Sequence, residues 1–385
     1  MLLFSLGNTS QHSIITVISM NKVLFFNRSS VHYRKNIYLL MERMLNVDFL
    51  FGDSRPGGIR PIEDTLLHNR VGTLHNISIG PFYYQKGVIS LLRSEYTDFI
   101  TPGDTYCLST WLFLFLAKFT HKRVFLWTHG AYGGERYLKK WIVLVRAKLA
   151  DGLFLYGNYA KELLSQYGAN PHKLHVVYNS LSYDEHKLIR ESLMPSDVYF
   201  RHFGNNNHNL VFIGRLTSQK KLDQLILVLS LLKKDGYNYN LTLIGDGDQR
   251  GSIEKLICEK GISESVWLYG ACHDEEEIGV LLYNADLCVS PGNVGLTAMH
   301  SMSFGTPVIS HNNFANQMPE FEAIIEGKTG TFFKEGDVLD METSIIRWFN
   351  SMPPRDIVRR NCYSIIDDKY NPHLQVETIK NVLGL

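Results

Sequence analysis

The chain has 385 residues, of which 45% are hydrophobic and 20% charged, so its composition excludes a disordered polypeptide and its length predicts two domains. Its five cysteines are scattered without a Cys-x-x-Cys pair, which argues against a zinc finger or a disulfide framework and favours a reducing compartment. The net charge is +1, but residues 1–208 carry +8 and residues 209–385 carry −7, which predicts an anionic partner for the first half. That partner is not expected to be nucleic acid, because no basic run or base-stacking motif is present, whereas an anionic membrane surface or a lipid diphosphate fits.

The N-terminal segment, residues 1–19, is polar and lacks the basic start and apolar core of a signal peptide. Two interpretations stay open: these residues form a loose tail, or the natural start is Met20, directly before the first strand. Beyond them, no segment reaches the ~20 apolar residues that a bilayer span needs. The longest apolar run, WLFLFLAKF at 111–119, is predicted to be a buried helix.

From residue 22 onwards, short apolar runs alternate with segments of helical spacing. The predicted strands of the first half include KVLFF (22–26), VDFLFG (47–52), RVFLWT (123–128) and GLFLYG (152–157). Alternation of this kind is typical of a parallel sheet covered by helices. We therefore predict a Rossmann-like domain over residues 20–185.

A second series of strands and helices follows a break in the pattern. Residues 186–208 are polar and rich in asparagine, which favours an interdomain linker. The strands and helices after it predict a second Rossmann-like domain over residues 209–370, and a last helix at 371–385 is expected to pack back on the first domain. The predicted fold class is thus α/β, with two doubly wound domains facing a central cleft where ligands bind at the carboxyl ends of the strands.

The segment GRLTSQKK, which begins at Gly214, follows a predicted strand. Glycine permits close approach of the backbone to a ligand, and Arg215 with Lys220 can clamp a diphosphate. Two solvated surface cations are the alternative. A further segment, IGDGDQR, places Asp246 and Asp248 in a DxD pattern, but two carboxylates without a third ligand make a poor metal site. We predict a turn there, and no metal.

The segment SPGNVGLTAMHSMSFGTPVI (290–309) joins a strand to a helix through a glycine-rich turn. The turn is predicted to consist of Gly292, Asn293, Val294 and Gly295. The N–H groups of Gly295, Leu296 and Thr297 would then point at an anion, assisted by the helix dipole. An ordinary junction between strand and helix is the alternative.

Together these segments resemble the donor-binding domain of family 4 glycosyltransferases, which have the two-domain GT-B fold. The matching phrases occur in order within residues 209–336: FIGRL....KKLDQLI, LTLIGDGDQR, VWLYG, NADLCVSPG, GLTAMHSMSFGTPVI and EAIIEGKTGTFF. The first half is similar more loosely to the acceptor-binding domain, through HYRKNIY, LWTHGAYG and KLHVVYNSL. The resemblance implies a nucleotide-sugar donor, a UDP-sugar being favoured over a GDP-sugar, with no further cofactor and usually with retention at the anomeric carbon.

The resemblance also implies roles for individual residues. Arg215 and Lys220 match the family's diphosphate-binding pair, and the backbone from Gly295 to Thr297 matches its phosphate-binding helix start. These groups would stabilise the charge on the departing nucleoside diphosphate, which is usually the largest contribution to catalysis. No protein nucleophile is required in the front-face mechanism usually proposed for the family.

The family's two glutamates, eight positions apart, fall on Gly292 and His300 in this sequence. The first usually holds hydroxyls of the donor sugar, and Gly292 offers only its N–H for that role. The second usually holds the ribose, and His300 is expected either to do so or to be an ordinary helix residue. Glu320 and Glu322 are further candidates for the donor sugar; Glu322 matches a glutamate common in the family, and Glu320 is extra.

Polar residues at predicted strand ends of the first half are candidates for the other side of the cleft. His129, in FLWTHGAYG, is expected to contact the donor sugar or to stabilise the transition state, with a structural histidine beside Trp127 as the alternative. His32, Tyr33 and Arg34 are candidates for the acceptor site, with packing plus a solvated arginine as the alternative.

The helix predicted at 135–150, ERYLKKWIVLVRAKLA, has five basic residues and one acidic residue. Such a helix can lie on an anionic leaflet without crossing it, at ~1 kcal/mol per basic residue near the surface. A core helix with a solvated basic face is the alternative. The charge of the whole first half favours membrane association.

The leading functional hypothesis is a bacterial-type glycosyltransferase that adds a sugar to a lipid-linked or free glycan during capsule or O-antigen assembly. It would act in the cytoplasm, peripherally on the inner face of the plasma membrane. A GT-B nucleotide-sugar epimerase is a second hypothesis, against which the family 4 phrases and the basic first half argue. A pseudo-glycosyltransferase that only binds is the third; the loss of both glutamates favours it, and the retained Arg215 and Lys220 argue against it.

Overall fold

The computed structural model describes residues 22–54, 61–63 and 65–385, so the expectations for residues 1–19 and Met20 lie outside the described residues. The first sheet has eight strands: β1 (Val23–Asn27), β2 (Asp48–Gly52), β3 (Arg70–Ile79), β4 (Phe82–Lys86), β5 (Asp98–Pro102), β6 (Arg123–Thr128), β7 (Gly152–Leu155) and β8 (Leu174–Val176). Their order is β4-β3-β2-β1-β5-β6-β7-β8. β3 and β4 pair antiparallel, and the other neighbours pair in parallel.

Four helices accompany this sheet: α1 (Lys35–Leu45), α2 (Leu108–Ala117), α3 (Tyr137–Leu149) and α4 (Asn158–Gln166). Both faces of the sheet are covered, which explains why its strands are unbroken apolar runs. In β1, for example, Val23 and Phe25 enter one hydrophobic core, while Leu24 and Phe26 enter the core on the opposite face.

The second sheet has six parallel strands: β9 (His208–Ile213), β10 (Tyr239–Ile244), β11 (Val266–Gly270), β12 (Leu287–Ser290), β13 (Val308–His311) and β14 (Gly330–Phe333). Their order is β11-β10-β9-β12-β13-β14. The remaining helices are α5 (Tyr183–Ser192), α6 (Val198–Phe203), α7 (Leu222–Lys234), α8 (Arg250–Glu259), α9 (Glu275–Asn284), α10 (Leu296–Ser303), α11 (Val338–Ser351), α12 (Arg355–Lys369) and α13 (Pro372–Leu383).

The segment predicted as a polar linker, 186–208, is largely helical. It contains most of α5 and all of α6, and both helices contact α9. Tyr199 is buried and donates a hydrogen bond from its hydroxyl to the carbonyl of Leu281 at 2.8 Å. A few apolar side chains at helical spacing therefore pack this segment against the second half, although its polar composition alone indicates an interdomain linker.

The last helix, α13, packs against α1. Its Val376, Ile379 and Leu383 belong to the same hydrophobic core as Ile37 and Met41 of α1. The chain thus returns to the first sheet after completing the second, which ties the two halves together.

The strand order reverses at one point in each sheet, between β1 and β5 in the first and between β9 and β12 in the second. Loops that leave neighbouring strands on opposite sides of such a point open a crevice at the carboxyl ends of the strands. We call these places the first and second switch points. Most of the residues that the sequence marks as functional lie near one of them.

Candidate active site

The second switch point presents the start of α10 to the cleft. Gly295 has a φ of +52° and ends the turn directly before the helix. The Thr297 hydroxyl donates to the carbonyl of Ile213 at the end of β9, at 2.8 Å, which anchors the first helical turn. Hydrogen bonds among the described residues use the N–H of Val294 but leave those of Gly295, Leu296 and Thr297 available, as an anion site at a helix start requires.

Lys220 brings a cation to the same place. Its Nζ donates to the carbonyl oxygen and to Oδ1 of Asn293, at 2.6 and 3.0 Å. Burial lowers the pKa of Lys220 to about 8; the Glu320 carboxylate opposes that shift and the Arg215 charge adds to it. Arg215 itself is exposed, just past Gly214, so one half-buried and one exposed cation flank the helix start.

Gly292 has no room for a side chain. A Cβ atom there would lie 2.0 Å from the carbonyl oxygen of Gln219, and its N–H donates to the carbonyl of Lys220 at 3.0 Å. The expectation that this N–H holds a donor hydroxyl is therefore wrong for this conformation. The turn that carries Lys220 occupies the space that a glutamate at position 292 would need.

His300 contacts residues of two other helices. Its Nε2 lies 2.8 Å from Oε2 of Glu275, and its ring stacks on that of His186 at 5.1 Å between centroids. His32 and Tyr33, which the sequence assigns to the acceptor site, line a cavity of about 110 Å³ beside this cluster. The structure thus joins these three predicted residues to one another and separates them from Lys220.

Glu320 is buried between the two halves. Its Oε1 accepts a hydrogen bond from Nδ2 of Asn179 at 2.7 Å, while Oε2 has no hydrogen-bond partner among the described residues. Burial raises the pKa of Glu320, and the charges of Lys220 and Arg34 oppose that rise. The carboxyl group therefore sits near one cation from each half and retains an unused oxygen.

Glu322 serves a different purpose from the one predicted. Its Oε1 accepts from the N–H of Tyr159 at 2.7 Å, and its Oε2 accepts from the N–H of Asn158 at 2.9 Å. These are the first residues of α4, so the carboxylate caps a helix of the opposite half. Both oxygens are occupied, and the expected contact with the donor sugar is not available in this conformation.

His129 and Arg34 form the first-half side of the cleft. The His129 ring packs on Tyr156 at 4.6 Å, and the Arg34 guanidinium lies over the rings of Trp127 and Tyr156 at 5.2 and 5.4 Å. Burial and the nearby Arg34 charge lower the pKa of His129 to about 4, and its Nδ1 has no partner among the described residues. His129 is thus a neutral imidazole with an unused polar atom.

The space beside His129 is small. The cavity that it lines with Tyr132, Phe314, Pro319 and Glu322 has a volume of about 10 Å³. A cavity of this size holds at most about one water molecule. A sugar does not fit in this space in the present conformation.

Two residues that support the site escape the sequence reasoning. Gln317 accepts a hydrogen bond from the N–H of Val294 at 2.8 Å and donates to the carbonyl of His311 at 2.9 Å, which fixes the turn before α10. Asn179 binds Glu320, and its position after a predicted strand in KLHVVYNSL is a signal that could have identified it. No comparable signal marks Gln317.

The DxD segment stays at the surface. Asp246 and Asp248 are exposed, and Asp246 accepts from the N–H of Gly247 at 2.7 Å. In the described ranges, the group of three side chains that could hold a metal ion lies elsewhere, at His186, Glu275 and His300.

The sequence of this chain is similar to a known protein family and to several known proteins. Residues 201–364 match the family of glycosyl transferases group 1. The 41.2 kDa protein in the cps region of Klebsiella pneumoniae is 27% identical over 274 residues, which cover 68% of this chain and 69% of that protein. The amylovoran biosynthesis glycosyltransferase AmsK of Erwinia amylovora is 24% identical over 183 residues, 45% of this chain and 44% of AmsK. The chain thus spans less than half of AmsK in this match.

Solved structures agree in fold over nearly the whole chain. HepE of Anabaena in complex with UDP superposes with a TM-score of 0.71 at 17% identity, over 94% of this chain and 99% of HepE. The lipopolysaccharide outer core galactosyltransferase WaaB gives a TM-score of 0.69 at the same identity and coverage. The predicted resemblance and fold class are confirmed. The chain is a glycosyltransferase of the GT-B fold that carries a glycosyl transferases group 1 domain, with relatives in capsule and other polysaccharide biosynthesis.

Proposed function

We propose that this protein transfers a sugar from a UDP-sugar to a lipid-linked oligosaccharide or a similar glycan, with retention and without a catalytic metal ion. One observation carries the proposal. At the second switch point, Lys220 and Arg215 flank the available N–H groups at the start of α10. This arrangement suits a pyrophosphate whose negative charge grows as the sugar leaves.

The two cations and the helix start take the place that a metal would have in charge compensation. The bond between the anomeric carbon and the phosphate oxygen breaks, and the acceptor hydroxyl attacks from the same face. Its proton passes to the departing phosphate oxygen, so no side chain needs to act as nucleophile. The diphosphate-binding residues in this proposal are Gly214, Arg215, Lys220, Gly295, Leu296 and Thr297.

The donor sugar would meet groups from both halves. Glu320 and His129 each keep one buried polar atom without a partner among the described residues, and a buried polar atom of this kind costs ~1–3 kcal/mol until it is satisfied. Sugar hydroxyls can supply those partners. UDP is favoured as the carrier because HepE, a neighbour in fold, is known in complex with UDP and with UDP-glucose.

The acceptor is proposed to reside at a membrane surface, which the outer face of the first half suits. The apolar run at 111–119 is predicted to be a buried helix, but α2 is buried on one side only: Leu112 and Phe115 are exposed by 43 and 53%. Phe119, just after α2, is exposed by 75%. On the adjacent α3, Leu138 and Trp141 are exposed by 67 and 55%.

Basic side chains accompany these apolar ones. Arg136, Lys139 and Lys148 of the α3 segment are exposed, whereas Arg146 is buried and donates to the Thr105 hydroxyl at 2.8 Å. Apolar and basic groups side by side are typical of a surface that lies on an anionic leaflet. Within the described ranges, every helix is too short or too polar to serve as a membrane span. We therefore propose a peripheral protein on the cytoplasmic face of the plasma membrane.

The test is a donor screen on the full chain. Thermal unfolding is followed with UDP, GDP and a panel of UDP- and GDP-sugars that includes deoxy sugars, all in the presence of EDTA. The best donor is then supplied with lipid-linked glycan acceptors, and the anomeric configuration of the product is determined by NMR. Stabilisation by UDP compounds and EDTA-resistant transfer are expected. Absence of binding by every nucleotide would contradict the proposal.

A pseudo-glycosyltransferase is the second candidate, because position 292 cannot hold the family's first glutamate in this conformation. It would bind the donor without transferring the sugar to any acceptor. The epimerase alternative predicts that the donor sugar changes configuration without an acceptor, which the same NMR measurement detects.

A further inference from the structure

A histidine–glutamate–histidine cluster lies away from the diphosphate site and takes no part in the proposed transfer. His186 on α5, Glu275 at the start of α9 and His300 on α10 bring one ligand atom each within 4.8 Å of one another. The Nε2 atoms of His186 and His300 lie 3.1 and 2.8 Å from the same carboxylate oxygen, Oε2 of Glu275.

His186 is incompletely satisfied in this cluster. It is 2% exposed, and neither of its ring nitrogens has a hydrogen-bond partner among the described residues. Its Nε2 faces Glu275 at 3.1 Å without the direction that a hydrogen bond requires. A buried polar atom without a partner is unfavourable, and a bound cation would remove that cost at Nε2.

The three ligand atoms converge on one region. The two imidazole rings are stacked and nearly parallel, with an interplanar angle of 5°, and both present Nε2 towards the carboxylate. Two imidazoles and one carboxylate form a ligand set that suits a first-row divalent ion, zinc in particular, with at least one position left open. The cavity of about 110 Å³, which His32 of the first half also lines, lies beside that position.

We propose that His186, Glu275 and His300 bind a divalent transition-metal ion of the zinc class. The ion would link α5, α9 and α10, and α10 is the helix whose start forms the anion site. It would act as a structural clamp on the second half. The proposal is independent of the donor, the acceptor and the transfer reaction, since metal binding is measurable on a protein without turnover.

The experiment uses the full chain, stripped with a chelator and then titrated with Zn²⁺ in competition with a chromophoric chelator. Co²⁺ is added to a second sample, and its visible absorption bands report the coordination. The test variants are His300→Gln and Glu275→Gln. The matched control is His373→Gln, because His373 Nε2 also lies 2.8 Å from a carboxylate oxygen, that of Asp184, but at the surface.

Stoichiometric binding of one Zn²⁺ per chain is expected for the wild type and for His373→Gln. Both test variants should bind about 100-fold more weakly or worse, since loss of a direct ligand should cost at least as much as loss of a supporting group. Circular dichroism of the metal-free variants checks that they are folded. If a test variant is unfolded, the wild-type Co²⁺ spectrum decides, because intense bands indicate a low-coordinate site with histidine ligands. Absence of stoichiometric binding to the folded wild type, or equal binding by a folded test variant, would overturn the proposal.

Discussion

The two switch points differ in how far their geometry is fixed before a ligand binds. At the second, backbone and glycines fix the geometry in advance: Gly292 packs on the turn of Lys220, and the Lys220 ammonium is held by Asn293. At the first, aromatic rings support Arg34, and His129 keeps an unused nitrogen. In the proposed function, the second half is preorganised for a constant group, the diphosphate, whereas the first half leaves polar atoms to be satisfied by the variable partners.

The largest expected effect is a loss of turnover on changing Lys220, in the second half. Lys220→Gln removes the half-buried cation and should lower the turnover number by about 100- to 1,000-fold, or roughly 3–4 kcal/mol, because charge on the leaving diphosphate loses its partner. Lys221→Gln is the matched control, since its ammonium pairs with Glu335 at 3.1 Å on the far side of the turn. Turnover with the best donor is measured for both. Equal loss in the two variants would show that general electrostatics, and not this contact, is responsible.

The next effect concerns Gly292, which the predicted resemblance places where the family has a glutamate. Gly292→Ala places a Cβ atom 2.0 Å from the Gln219 carbonyl, so the turn must shift, and we expect a loss of about 2–3 kcal/mol in unfolding free energy. Gly251→Ala in α8 is the control, because nothing lies within 4 Å of its Cβ position. That variant should be unchanged or more stable by about 0.5–1 kcal/mol. Urea unfolding of both variants gives the difference; a stable Gly292→Ala protein would mean that the turn is more adaptable than the structure indicates.

Gly292 also shows which features of the site can be predicted from the sequence and which cannot. Period, strand ends and the order of motifs predict the two Rossmann-like domains, the helix start and the Arg215–Lys220 pair, because these follow from local pattern. They do not predict β3, β4 or β5. They do not predict that the Lys220 turn fills the space beside Gly292, since that contact joins segments about 70 residues apart in sequence. The same holds for Glu322, whose partner is a helix start in the other half.

The partners of His300 and the helices within residues 186–208 are not predicted, for a related reason. A histidine in a helix does not reveal its neighbours, and His186 and Glu275 reach it from two other helices. The polar composition of 186–208 hides the few apolar side chains that pack α5 and α6. Long-range packing therefore decides the points that local pattern leaves open.

The first half, which carries the exposed basic and apolar side chains of α2 and α3, is expected to provide the membrane contact. Changing the exposed Lys139 and Lys148 together to Gln should weaken binding to anionic vesicles by about 30-fold, at ~1 kcal/mol per basic residue. Lys233→Gln with Lys234→Gln, exposed on α7 of the second half, is the matched control. Flotation with anionic and with neutral vesicles measures the effect. Binding that ignores lipid charge, or that the control weakens equally, would contradict the assignment of this surface.

The pH dependence of UDP affinity distinguishes the contribution of Lys220 from that of His129 across the cleft. Because the pKa of Lys220 is lowered to about 8, the ammonium proposed to bind the diphosphate is lost as the pH rises through that value. UDP affinity should fall about tenfold per pH unit above pH 8, and bound diphosphate will move the break upward. Lys220→Arg should remove the break, since arginine stays charged.

His129 should contribute nothing to that profile between pH 5 and 8, because its pKa of about 4 keeps the imidazole neutral throughout. Isothermal titration of UDP at a series of pH values measures both effects. A break near pH 6.5 that disappears in His129→Gln would show that the cleft histidine is charged.

The smallest effect tests the contact that joins the two sides. Glu322→Ala removes the cap on α4 and should cost about 1 kcal/mol of unfolding free energy. Glu254→Ala is the control, because Glu254 is exposed and its ion pair with Arg250 is worth less than about 1 kcal/mol. Gly157→Ala offers an independent way to break the same contact, since its Cβ atom would lie 2.3 Å from Oε1 of Glu322.

The double variant turns this contact into a quantitative test. If Gly157→Ala acts by displacing Glu322, its cost should largely disappear in the Glu322→Ala background, because the atom that it collides with is gone. Additive losses would instead mean that Gly157 is needed for another reason and that the cap does not link the halves. A cap that is intact in the closed cleft and lost on opening should also raise the KM for the donor when removed, with less effect on the turnover number.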